Sequence, residues 1–145
     1  MDTGSRSVEV ATPAREAIPG LRATAVWMLM MVMETVNGFA REVLVAPAIG
    51  ALRARQAGVL VGSVAVLLIA WACARHLGAH TRRSRLLVGA YWVGLTLVFE
   101  ISLGRAMGLS WPRILSDYDP AQGGWMLLGL TVMFLAPTFA ERMRS

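Results

Sequence analysis

The chain of 145 residues is predicted to be all-α, an integral membrane four-helix bundle, and two observations carry that prediction. The first is composition. Apolar residues make up 56% of the chain and charged residues only 16%, against about 25% charged in an ordinary soluble domain. Mean hydropathy is +0.56. A single soluble core of this size cannot hide so much apolar surface, whereas a bilayer can. The second is pattern: four long apolar runs alternate with short segments that hold most of the arginines.

Residues 1–22 mix Ser, Thr, Gly, Pro and charges of both signs without periodicity, and read as a flexible tail. The first apolar run lies too late, and carries Glu34, so it does not read as a signal peptide. The first helix is expected over residues 23–40. Eighteen residues at 1.5 Å each span about 27 Å, near the hydrocarbon thickness. It has room to continue toward Pro47, which would end or kink it. VLVAPAIGALRAR follows, as an interfacial segment, a re-entrant one or a returning loop.

The second helix, residues 56–74, is uncharged, with Gly58 and Gly62 four apart on one face, a spacing that lets helix backbones approach closely. A basic connection, Arg75–Arg85, leads to the third helix, residues 86–103. A longer loop holding Trp111, Asp117, Tyr118 and Asp119 leads to the fourth, residues 123–140, and residues 141–145 close the chain.

Four spans place both termini on one side. That side holds nine arginines (Arg6, Arg15, Arg22, Arg75, Arg82, Arg83, Arg85, Arg142, Arg144) and the other five (Arg41, Arg53, Arg55, Arg105, Arg113). The excess predicts cytoplasmic termini. All fourteen basic residues are arginine and sit at helix ends rather than on one face, so nucleic acid is not an expected partner. The expected partner is the lipid bilayer, with a homo-oligomer or a second membrane protein as further options.

A shift of 66 residues superposes the first two helices on the last two without a gap. It brings Glu34 onto Glu100, Gly38 onto Gly104, Gln56 onto Gln122 and Gly58 onto Gly124. Two duplicated helical hairpins would give this pattern, as would two membrane hairpins of similar length that slide into register by chance.

The candidate site is an intramembrane polar cluster. A charge in mid-membrane costs a few kcal/mol, while each apolar residue returns a few tenths. Glu34 and Glu100 are therefore expected to face the interior and find partners, or else to stay protonated. At 100° per residue, Asn37, Gly38 and Arg41 lie within about 60° of Glu34, and Thr96 and Gly104 within about 40° of Glu100, with Arg105 following at the outer boundary. Two readings stay open. In one, the carboxylates pair with Arg41 and Arg105 and clamp the bundle. In the other, they line a path for protons, cations or a cationic substrate.

Other motifs carry less. Cys73, His76 and His80 have a metal-like spacing, but Gly78 interrupts it and no fourth ligand is evident, so no metal is expected. Met28, Met30, Met31 and Met33 spread around the first helix, as packing residues do, rather than converging on a soft metal. Trp111, Asp117, Tyr118 and Asp119 are a candidate contact in the outer loop, where Pro120 also favours a simple turn. There is no phosphate loop, no Ser-His-Asp arrangement and no zinc-protease motif. No catalytic residue and no cofactor are expected, and the chain reads as non-enzymatic.

Taken together, the ETVNGFARE segment, the FEISLGR segment and the SWPRILSDYD loop resemble a group of small bacterial four-helix membrane proteins without assigned activity. The resemblance covers most of residues 24–140. It implies the fold and the membrane location and transfers no functional residue. The small multidrug resistance transporters also have four short helices with a Glu in the first, as Glu34 is here. This chain departs from them in Glu100, the long outer loop and the basic connection, and that likeness is one of architecture only. The reading is an accessory or assembly subunit of the inner membrane, with a small oligomeric channel or transporter as the alternative.

Overall fold

A computed structural model describes residues 20–143. Residues 1–19, most of the expected tail, and residues 144–145 lie outside the described residues. Helix α1 spans Gly20–Ala40, so it starts inside the segment expected to be tail. A π-helical turn over Arg41–Val45 and a short helix α2, Ala46–Ile49, continue it. The widened turn sits just before Pro47, whose ring donates no hydrogen bond and would crowd the Val43 carbonyl in a regular helix. The Ala46 amide bonds instead to the Arg41 carbonyl, five residues back. The chain thus passes Pro47 in helical form and breaks at Gly50, whose φ of 87° suits glycine.

Helix α3, Ala51–Leu77, begins directly after Gly50 and ends at Gly78, again left-handed at φ 63°. Helix α4, Arg82–Ala106, opens with a capping box in which Thr81 and Ser84 bond reciprocally. Helix α5, Trp111–Ser116, and a 3₁₀ turn, Pro120–Gln122, fill the loop before α6, Met126–Arg142. Three helical stretches are long and apolar enough to cross a membrane: Gly20–Ile49, Ala51–Leu77 and Arg82–Ala106. A multi-pass membrane protein has this character. The 17 residues of α6 make it the shortest of the four long helices, about 26 Å at 1.5 Å per residue.

Helix α3 packs on α1 and α6, and α4 packs on α6 and α1. Ala23, Val26, Met30 and Met31 of α1 meet Val66, Ala70 and Leu77 of α3, Val88 and Trp92 of α4, and Met133, Ala136 and Ala140 of α6. This apolar core occupies the end where α1 and α4 begin and α3 and α6 finish. Met30 and Met31 are buried in it, while Met28 and Met33 point outward. Parallel α1 and α4 are joined by polar bonds. Trp92 Nε1 donates to the Ala23 carbonyl at 2.8 Å, Trp27 Nε1 donates to Thr96 Oγ1 at 3.0 Å, and the Thr24 and Tyr91 hydroxyls bond at 2.8 Å. The Trp27 ring also meets Phe99 edge-on at 6.1 Å. These pairs are 67–69 residues apart in the chain, a register that brings Glu34 and Glu100 to similar depth.

Candidate functional site

Beyond the apolar core, the other half of the molecule gathers the polar residues. On α3, Gly58 and Gly62 are both buried and face α1. The slot they leave takes side chains rather than a neighbouring backbone. A Cβ on Gly62 would overlap the Glu34 carboxylate, and one on Gly58 would lie 2.8 Å from Arg41 Cδ. The Asn37 amide bridges the two helices, donating to Glu34 Oε2 at 3.4 Å and to the Gly58 carbonyl at 3.1 Å. Glu34, Asn37 and Arg41 therefore form a polar stripe on α1 that lies on the glycine face of α3. Among the described residues the Arg41 guanidinium makes a loose ion pair, with Glu42 at 4.0 Å, and its Nε is buried without a hydrogen-bond partner. Its charge lies within electrostatic reach of both Glu34 and Glu100.

Glu100 is half-buried on α4. Among the described residues it makes no hydrogen bond or ion pair, and the charges around it are Glu34, Asp117 and Arg41. Arg105, the partner expected from spacing, is turned elsewhere. Its guanidinium donates to the Leu109 carbonyl at 2.9 Å and stacks 5.2 Å from the Trp111 ring centre. Thr96, one turn before Glu100, is buried in the core, where its hydroxyl accepts from Trp27 and lies 3.2 Å from Met133 Sδ. The structure thus brings Glu34, Asn37, Arg41 and Glu100 together and leaves Thr96 and Arg105 outside the cluster.

The loop closes over this end through charges of its own. Arg55 of α3 and Arg113 of α5 grip the two oxygens of Asp117, at 2.9 and 3.0 Å. Asp119 caps the 3₁₀ turn by accepting from the Ala121 amide and the Gln122 side chain. Gln56 Nε2 donates to the Gly123 carbonyl at 3.1 Å. Burial pushes the Tyr118 hydroxyl above its ordinary range, and the Glu100 and Asp117 carboxylates push the same way. Asp117 is thus tied to α3 and α5, Asp119 to the 3₁₀ turn, and Trp111 to Arg105. Asp117→Asn is expected to destabilise the fold by about 1 kcal/mol, because both arginines and the carboxylate are partly solvated. A thermal melt of the detergent-purified protein measures it, and an unchanged melt would show that this grip adds nothing.

The positions related by 66 residues play unlike roles. Gly58 lies under Arg41, whereas a Cβ on Gly124 would overlap the backbone carbonyls of Ser116 and Asp117. Gly38 faces open space, while a Cβ on Gly104 would meet Ile114 at 3.2 Å. Leu128 stands where the shift would place a second Gly62 and is exposed. His76 and His80 lie on either side of the left-handed break at Gly78. Among the described residues no three His, Cys, Asp or Glu side chains converge as metal ligands would.

Arg55 and Arg113 were not singled out by sequence reasoning, nor was Gly62 as the seat of a carboxylate. Helix spacing reports which residues share a face, and these partners lie across the hairpin or on the loop. No family model matches the chain, and no curated protein or solved structure matches it.

Proposed function

We propose that the chain is a four-helix membrane protein with cytoplasmic termini in a bacterial inner membrane. In this reading α6 is the fourth span, α1–α3 and α4–α6 are its two hairpins, and the resemblance to small bacterial membrane proteins holds. Its role is that of a non-enzymatic accessory or assembly subunit. One observation carries this: Glu100, within a span, makes no hydrogen bond or ion pair among the described residues, and Arg41, whose charge attracts it, pairs only loosely and with Glu42. A carboxylate in that position needs a cation or a donor. A neighbouring membrane chain that supplies one satisfies Glu100 and gives the complex a register.

The alternative, a proton or cation path, rests on the same carboxylate and its proximity to Glu34. Two hollows on the surface, one lined by Leu86, Ala90 and Phe134 and one by Pro120, Trp125 and Leu128, reach neither acid. Glu100→Gln separates the two readings. The full chain purified from its own membranes in mild detergent is expected to carry a stoichiometric membrane partner, and the variant to lose at least about tenfold of it, the worth of a desolvated charged contact. A solitary chain that conducts protons into liposomes, and stops doing so as Glu100→Gln, would establish the path instead.

A further inference from the structure

The end of the molecule opposite the polar cluster holds a groove between α4 and α6, about 550 Å³ in volume and open to the outside. Leu86, Leu87 and Ala90 of α4 and Phe134 of α6 form its apolar length, and the stems of Arg82 and Arg83 complete the lining at its mouth, the N-terminal end of α4. From Arg82 to Ala90 the helix rises about 12 Å. Two features of that end favour an anion there. Arg82 and Arg83 are exposed and make no hydrogen bond or ion pair among the described residues, whereas Arg85 is spent on Glu141 and on the Ala79 and His80 carbonyls. Both also sit in the first turn of α4, which holds no acidic residue. The positive end of a helix dipole disfavours cations there, so two arginines add repulsion that an anion would relieve.

We infer that this groove binds an anionic phospholipid of the surrounding leaflet, with its phosphate on Arg82 and Arg83 and an acyl chain along Leu86, Leu87, Ala90 and Phe134. A free phosphate would find the charges but leave the apolar length uncovered. A zwitterionic lipid would cover the length but bring its own cation to the mouth. Only a lipid with net negative charge matches both parts. The inference rests on α4 lying in a bilayer.

Native mass spectrometry of the detergent-purified full chain tests it, by titration with phosphatidylglycerol, with phosphatidylcholine of the same acyl chains, and with inorganic phosphate. Phosphatidylglycerol is expected to bind about twenty-five-fold tighter than phosphatidylcholine, from about fivefold for each of the two arginines. The double variant Arg82→Gln/Arg83→Gln is expected to lose that preference. Ala90→Trp, which fills an exposed part of the groove, is expected to weaken both lipids, and Arg75→Gln, outside the groove, to change neither. Equal binding of the two lipids, or a preference that survives the double variant, overturns the inference, as does inorganic phosphate displacing phosphatidylglycerol at equal concentration. A chain recovered in the soluble fraction of cells would instead remove the membrane reading itself.

Discussion

Trp92→Ala is expected to destabilise the protein by about 3 kcal/mol, the lower end of the range for emptying a buried tryptophan site. Trp92 is 0% exposed and the largest fully buried side chain. It packs in the cluster that joins all four long helices. In a bilayer the reference for a helix surface is lipid rather than water, so the transfer contribution shrinks. What remains is the cavity, because surrounding side chains lose partner atoms that a void cannot replace. The variant also removes the donor to the Ala23 carbonyl, which helps hold α1 against α4. Trp92→Phe retains most of the ring and lacks that donor, and its expected loss is about 1 kcal/mol. Thermal or denaturant unfolding in one detergent measures both. Equal losses for the two variants would mean that the bond, and not the packing, joins α1 to α4.

Much of this architecture was legible because apolar runs report helices directly. The expected segments 23–40, 56–74 and 86–103 fall inside α1, α3 and α4, and segment 123–140 overlaps α6 except for its first three residues. The ends were harder for a definite reason. Hydropathy stops at Arg53 and Arg55, whereas the α3 backbone stays helical back to Gly50, where a positive φ breaks it. Backbone stops at Gly50 and Gly78, not charge, set the true limits of α3. The signature Ser110-Trp111-Pro112, with proline in the first turn, marks the start of α5 inside a stretch whose composition alone predicts a loop.

The candidate site was half legible. Spacing placed Asn37 and Arg41 on the face of Glu34, and the structure keeps them there. Spacing also offered Arg105 to Glu100, but the Trp111 ring and the Leu109 carbonyl take that guanidinium. The seat of Arg41 follows from hairpin geometry once the turn is known: Arg41 and Gly58 lie nine and eight residues from Gly50, as antiparallel neighbours should. Glu34 and Gly62 lie sixteen and twelve from it, about one turn out of step. With Pro47 taken as the break and a returning loop behind it, that pairing stays hidden. A glycine four residues from another then reads as a backbone contact, when its actual use is to admit a carboxylate.

A true backbone contact of that kind occurs between α4 and α6, and it defines the second large effect: Gly89→Ala is expected to destabilise the protein by about 2 kcal/mol, within the range for overpacking. A Cβ at Gly89 would overlap the Phe134 carbonyl oxygen and lie 3.1 Å from Phe134 Cα. The obstacle is the backbone of a helix interior, which cannot turn aside as the Glu34 carboxylate at Gly62 can. The two helices must separate, and with them the close contact that stands in for a hydrophobic driving force inside a membrane. Alanine's better helix propensity, about 1 kcal/mol, works in the opposite direction. Gly94→Ala on the same helix isolates that gain, since its Cβ would meet nothing within 4 Å. It is expected to be neutral or up to about 1 kcal/mol stabilising. Unfolding of both variants in one detergent decides the matter. Equal stabilities would mean that α4 and α6 do not touch at Gly89, and the groove beside Phe134 would then lose its wall.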